Sequence, residues 1–245
     1  MLPKTLQIRH LPTPEDLARA AAVELQGLLQ RHVPTTPFGI ALSGGRIAAK
    51  FYDSLVECLR PWREGLENVH FFWADERCVA PGDTESNYFT ATRHLFDPLS
   101  VDEAQVHRIR GEVDSTYAVQ EAEAELCRLM PLNEAGQPVL DLVILGMGED
   151  GHVASLFPGE PEAMRKDQAV YRHVHAVKPP PERVTLGYAP ILAAREVWVL
   201  ASGAGKKEAF LGIFDAGTDL PIKHVVMNRE KVLIFQDIAS DLPAV

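Results

Sequence analysis

Apolar residues recur along this chain in two rhythms. From residue 13 to 32 they fall at helical spacing, as Leu17, Ala21, Leu25, Leu28 and Leu29. They stand behind Thr13-Pro14-Glu15-Asp16, a cap, a proline and two acids in the order that opens a helix. Short runs without alternation follow: Phe38 to Leu42, Val69 to Trp73, Leu140 to Leu145, Val197 to Ala201 and Val232 to Phe235. Each is bounded by Gly, Asp or Ser, and an apolar run of that kind suits a strand covered on both faces. Helical patterns at 48 to 59, 115 to 130, 186 to 194 and 205 to 215 separate most of the runs. The alternation predicts an α/β fold with an open, mostly parallel sheet and helices on both faces. No repeat, low-complexity tract or linker interrupts it, so residues 1–245 read as a single domain. Pro179-Pro180-Pro181 reads as a stiff surface bend and the last few residues as a loose tail.

Composition narrows the classes. With 245 residues, 46% hydrophobic and 24% charged, the profile is that of a soluble globular protein. No apolar run reaches the roughly 18 to 20 residues of a membrane span, and the first residues lack the apolar stretch of a signal peptide, so the expected location is cytoplasmic with no membrane partner. A net charge of −10 argues against a nucleic-acid partner, and any anionic substrate must be attracted locally. Cys58, Cys78 and Cys127 are far apart and form no C-x-x-C pair, which fits a reducing compartment. Cys78, despite its charged neighbours, reads as a half-buried thiol.

In open parallel sheets ligands bind at the carboxyl ends of strands, so the residues after each run carry the most information. After Leu42 comes Ser43-Gly44-Gly45 and then a helix. Glycines at such a turn let backbone N–H groups face an anion at the helix N-terminus; a tight turn with a serine cap is the plainer reading. After Trp73 come Asp75, Glu76 and Arg77, three adjacent charges that packing does not explain. Arg77 can clamp an anion, and Asp75 can bind or deprotonate a polyol or water. Further on, Ser86-Asn87-Tyr88 reads as the start of a helix, and N-capping by itself accounts for Asn87.

The most informative segment runs from Asp141 through Gly146, Gly148, Asp150, Gly151, His152 and Ser155 to Pro158-Gly159. Its G-x-G-x-x-G after a strand suggests a dinucleotide site. Against that, Pro158-Gly159 would end the following helix after about two turns, and no strand ending in an acid follows at the required spacing of about 20 residues. The glycines instead bring backbone close to a small ligand, with Gly148 among them, and His152 beside Asp150 is a candidate general base. His10, His32 and His94 have no such surroundings. Arg183 precedes Val184-Thr185-Leu186, and Gly203-Ala204-Gly205-Lys206 follows another strand, so Lys206 can hold a phosphate as a point charge while Lys207 reads as solvated. His173 and His175 alternate on one strand face like a metal pair, but no third ligand stands at a telling spacing, and no metal is expected.

These blocks, in this order, resemble the 6-phosphogluconolactonase family, within the superfamily that includes glucosamine-6-phosphate deaminase. The resemblance rests on Leu42-Ser43-Gly44-Gly45, Asp75-Glu76-Arg77 with Ser86-Asn87-Tyr88-Phe89, Leu145 through His152 to Gly159, and Arg183-Val184-Thr185-Leu186 with Gly203 to Lys206. It implies a Rossmann-like sheet, no metal or organic cofactor, and hydrolysis of a phosphorylated sugar lactone, with His152 activating water and Asp150 beside it. Ser43, Gly44, Gly45, Arg46, Asn87, Gly148, Arg183 and Lys206 are then the expected substrate and phosphate contacts, and Asp75 and Arg77 the expected aids to catalysis. The family's Ser-Gly-Gly turn usually continues Ser-Thr-Pro, whereas here Arg46-Ile47-Ala48 follows, so the hydroxyl donors expected at the phosphate are missing. Two alternatives stay open: a sugar-phosphate isomerase or deaminase in which Asp75 moves a proton between C1 and C2, and a non-catalytic sugar-phosphate sensor.

Overall fold

The structure is a computed structural model that describes residues 5–32 and 36–238. Its strands are β1 (Thr5–His10), β2 (Phe38–Leu42), β3 (Val69–Trp73), β4 (Asp75–Arg77), β5 (Leu142–Gly146), β6 (Tyr171–His175), β7 (Glu182–Leu186), β8 (Glu196–Ala201) and β9 (Lys231–Gln236). The helices are α1 (Pro14–Arg31), α2 (Arg46–Leu59), α3 (Asn87–Ala91), α4 (Asp97–Leu99), α5 (Ser115–Leu129), α6 (Glu162–Lys166), α7 (Tyr188–Ala193), α8 (Lys207–Gly212) and α9 (Pro221–Met227). Six strands pair in parallel in the order β1-β9-β8-β5-β2-β3, flanked by helices. The expected fold class is the observed one.

The apolar runs become strands covered on both faces, which removes most of their side chains from water. All five residues of β2 are buried, as are the last five of β8 and of β9. Helix α1 starts where expected, Thr13 accepting a hydrogen bond from the Asp16 N–H at 3.1 Å, and buries Leu17, Ala18, Ala21, Ala22, Leu25 and Leu29. The third run begins two residues later than its apolar pattern. Asp141 is occupied before the strand, accepting from the Gly39 N–H at 2.9 Å and pairing with Arg195 at 3.0 Å.

Three features depart from the sequence reading. Strand β1 has no apolar run, since Thr5, Gln7, Arg9 and His10 intersperse with Leu6 and Ile8 along an edge strand. A second sheet, antiparallel in the order β4-β7-β6, is built on strands too short or too charged to show as apolar runs. It is tied to the first where the Leu186 N–H donates to the Ala74 carbonyl at 2.7 Å. No helix follows β5: the chain turns through Gly151 (φ 81°), Ala154 (φ 49°) and Gly159 (φ 82°) and is helical again only in α6. The 205–215 pattern resolves into a short 3-10 turn at Ala204–Lys206 and then α8. The residues read as a loose tail lie largely outside the described ones.

Candidate active site

From β2 the sheet grows one way to β3, and from β5 the other way through β8 to β9. The loops after β2 and β5 therefore leave adjacent strands in diverging directions, the place where open α/β sheets hold ligands. One pocket opens there. The turn after β2 supplies Ser43 to Ile47, the loop after β5 supplies Met147, His152 and Ala154, and the turn after β8 supplies Lys206. The second sheet adds Asp75, Arg77 and Arg183, and α3 adds Asn87.

The Ser43-Gly44-Gly45 turn leads into α2, with Gly45 at φ 99° as the residue before its first turn, a backbone that favours glycine. The buried Ser43 hydroxyl has no hydrogen-bond partner among the described residues and lines the pocket, leaving it available to a ligand. Arg46 opens α2 with its side chain 92% exposed and leans on Glu149, Nη2 to Oε1 at 3.6 Å. Asn87 is not the helix cap. Ser86 fills that role, accepting from the Phe89 N–H at 3.1 Å, while the buried Asn87 amide donates to the Asp75 carbonyl at 2.8 Å and packs against Gly44.

The three charges after β3 separate into three roles. Asp75 is buried, accepting from the Ser155 hydroxyl at 2.7 Å and lining the pocket. Glu76 is also buried but turns away from the pocket, accepting from the Arg77, Asn87 and Tyr88 N–H groups and the Ser86 hydroxyl at 2.7 to 3.0 Å. Burial raises its pKa above the carboxylate range, and these donors offset part of the rise. It fixes the loop rather than acting on a ligand. Arg77 donates to the Glu85 carbonyl at 2.6 Å and stands opposite Arg183 across the β4–β7 register.

The glycine-rich loop places His152 with Nδ1 2.5 Å from Asp150 Oδ1, which leaves Nε2 as the nitrogen not engaged by that carboxylate. Burial alone would raise the Asp150 pKa, but the imidazole and its hydrogen bonds overcome it and leave it below the usual range. Gly148 does not line the pocket. A Cβ there would stand 2.1 Å from His152 Nδ1 and 2.5 Å from Asp150 Oδ1, so its bare Cα is the space into which this pair fits.

Four cations, Arg46, Arg77, Arg183 and Lys206, line this pocket with one carboxylate, Asp75, in a chain of net charge −10. Arg183 is buried, stacked over Phe157 and held by the Pro180 and Lys178 carbonyls at 3.0 and 3.2 Å. The proline bend thus serves as its seat. Burial, then Arg77, lowers the Arg183 pKa; burial, then Arg46, lowers that of Lys206. Cations that desolvate and repel one another in this way stabilise a bound anion. Lys207, at the start of α8, is exposed and does not line the pocket.

Outside it, His173 and His175 share the two oxygens of Glu182, and among the described residues no three ligating side chains are placed to hold a metal. The three cysteines are unpaired, and burial pushes the Cys78 thiol up to about 11. Sequence reasoning missed Ser155 and Glu149. Ser155 lay inside the most informative segment but carries no signal of its own, and Glu149 adjoins Asp150 without a pattern.

The fold and this pocket define an α/β protein with a cation-lined pocket at the switch point of its sheet. The family model described as glucosamine-6-phosphate isomerases/6-phosphogluconolactonase matches residues 12–234, and the chain belongs to that family. A probable chloroplastic 6-phosphogluconolactonase 3 of Oryza sativa subsp. japonica is 34% identical over 224 residues, covering 85% of this chain. The chain spans 65% of that rice protein's length. The 6-phosphogluconolactonase of Trypanosoma brucei superposes with a TM-score of 0.83 at 30% identity, covering 96% of this chain and 97% of its own. That of Trypanosoma cruzi gives 0.85 at 28% identity, with 99% of each chain covered.

Proposed function

We propose that this protein is a 6-phosphogluconolactonase, hydrolysing 6-phospho-D-glucono-1,5-lactone to 6-phosphogluconate with His152 as the base that activates water. The observation that carries the reading is the His152–Asp150 pair opening into a pocket lined by four cations. His152 Nε2 takes a proton from water as its oxygen attacks C1, and Asp150 stabilises the imidazolium that forms. The former carbonyl oxygen gains charge, met by the Arg77 guanidinium or a backbone N–H of the glycine loop. When the C1–O5 bond breaks, O5 takes the proton from Nε2 and the new acid loses its own to solvent. The Ser43 hydroxyl, the Gly44 and Gly45 turn, Arg183 and Lys206 grip the 6-phosphate, and that grip orients the ring.

Homologues of this name occur in plants and bacteria, and solved structures of such lactonases span nearly the whole chain, which supports this chemistry over a sensor. Among the described residues no helix is long and apolar enough to cross a membrane, and unpaired thiols fit a reducing compartment such as the cytosol. The test is opening of freshly made 6-phosphogluconolactone, corrected for spontaneous hydrolysis. Enzyme-dependent opening is expected. Its absence, or ammonia release from glucosamine 6-phosphate, would overturn the reading.

A further inference from the structure

Behind the pocket wall runs a chain of buried polar groups that the mechanism above does not use. Asp75 and Thr185 are partners across the β4–β7 register, and both are buried. The Ser155 N–H donates to Thr185 Oγ1 at 3.2 Å, and the Ser155 hydroxyl donates to Asp75 Oδ2 at 2.7 Å. On the other side Asn87 Nδ2 holds the Asp75 carbonyl at 2.8 Å and lies 3.4 Å from Oδ1. Ser155 is 0% exposed and lies 80 residues from Asp75 in sequence, so only the fold joins them.

The backbone before Ser155 is specialised. Ala154 has φ 49°, in the left-handed region that a residue with a Cβ avoids, and the Val153–Leu156 bridge closes the turn around it. That turn leaves Ala154 on the pocket and directs Ser155 into the protein. Uncommon backbone of this kind at a pocket wall points to a positional requirement.

We propose that Ser155 is a positioning residue, holding the Asp75 carboxylate turned toward the pocket so that it accepts a hydrogen bond from a hydroxyl of the lactone ring. This rests on the lactonase reading. A carboxylate has about four acceptor sites. Ser155 takes one and Asn87 approaches another, leaving the pocket side for a polyol. The phosphate is held by other residues, so losing Ser155 weakens the grip on the ring and spares the grip on phosphate.

The test compares the wild-type enzyme with Ser155→Ala. Loss of one charge-assisted donor is expected to lower kcat/KM for 6-phosphogluconolactone about tenfold, through KM with kcat nearly unchanged. Competitive inhibition by inorganic phosphate is expected to stay unchanged. Arg77, Arg183 and His152 share the pocket, and Glu76, Tyr52 and Tyr171 lie within electrostatic reach of Asp75 or beside it. All are present in both proteins, so the difference reports Ser155. Should Ser155→Ala fail to fold, Ser155→Cys, of similar size but a weaker donor, is expected to show the same changes in smaller measure. Binding of 6-phosphogluconate, followed by calorimetry, is expected to weaken in either variant, a reading that needs no turnover. An unchanged KM, or phosphate inhibition weakened as much as lactone binding, would overturn the proposal. An inactive wild type would instead overturn the lactonase reading, and 6-phosphogluconate binding equally well to wild type and Ser155→Ala would then overturn the role of Ser155.

Discussion

His152 and His107 each hold a carboxylate through Nδ1, Asp150 at 2.5 Å and Glu125 at 2.9 Å, and each lines a cleft, yet their other ring nitrogens meet different surroundings. His107 Nε2 is taken by His70 Nδ1 at 2.8 Å, and Glu125 is shared with Arg128 at 2.7 Å. Both ring nitrogens of His107 are thus taken by neighbouring side chains, on β3 and α5. His152 keeps one nitrogen clear of its carboxylate and turns the ring to a pocket where cations outnumber acids. A carboxylate on an imidazole therefore says little by itself. The other nitrogen and what it faces are what distinguish the two histidines.

The widest separation comes from removing each imidazole. His152→Gln is expected to lower kcat by roughly 10²- to 10⁴-fold with substrate binding nearly intact, the usual worth of a general base. His107→Gln is expected to leave kcat unchanged and to lower stability by about 1–3 kcal/mol, because its partners lose their closure. Steady-state kinetics and denaturant melts on the two variants check this. A position-152 variant with near-normal turnover would move the base elsewhere, with Asp75 the next suspect.

Removing the carboxylates tests the same contrast at smaller amplitude. Asp150→Asn should cost less than loss of the base, about 10- to 100-fold in kcat by analogy with carboxylates that orient metal-bound imidazoles. Glu125→Gln should leave kcat alone, since its imidazole does no chemistry. A kcat loss for Asp150→Asn equal to that for His152→Gln would mean that the pair acts as a single unit.

Part of this contrast was legible in the sequence. β2, β3, β8 and β9 could be read because buried parallel strands are continuous apolar runs, and residues following β2, β3 and β8 fell at the pocket by topology alone. His152 stood out through the glycines around it. The second sheet was illegible because its pairing joins residues about 110 positions apart, Asp75 with Thr185, and β4 consists of three charged residues. The inward turn of Ser155 depends on the conformation of Ala154, an unremarkable residue in an unusual backbone. The capping explanation of Asn87 failed for a related reason: it sufficed locally, and only the fold shows Ser86 as the cap and the Asn87 amide at the pocket wall against Gly44.

The pH dependence of stability follows from the closed cluster. Burial, ahead of every other cause, lowers the pKa of both His70 and His107 below the usual 6.5. The folded state therefore binds fewer protons than the unfolded chain between the lowered values and 6.5. The cluster's contribution is complete above pH 6.5 and is lost as pH falls from 6.5 through the lowered values. Melting temperature recorded from pH 7.5 down to 5 should fall more steeply for the wild type than for His70→Gln/His107→Gln. Parallel curves would remove these histidines as the source.

The smallest expected effect concerns Arg46, the residue that replaces the family's usual hydroxyl donor after Ser-Gly-Gly. Its charge stands at the first turn of α2 beside the anion pocket, but its side chain is 92% exposed and leans on Glu149, itself 58% exposed. An exposed ion pair of this kind is worth about 0–1 kcal/mol, so a phosphate can draw Arg46 from Glu149 at little cost, but gains correspondingly little from it. Arg46→Ala is therefore expected to lower kcat/KM for 6-phosphogluconolactone by about two- to fivefold, an effect that shrinks as salt screens the pocket. Unphosphorylated gluconolactone, with no phosphate to hold, should be hydrolysed equally by wild type and variant. Equal losses on both lactones would place Arg46 in the support of α2 rather than at the phosphate, leaving the glycine turn, Arg183 and Lys206 to hold it.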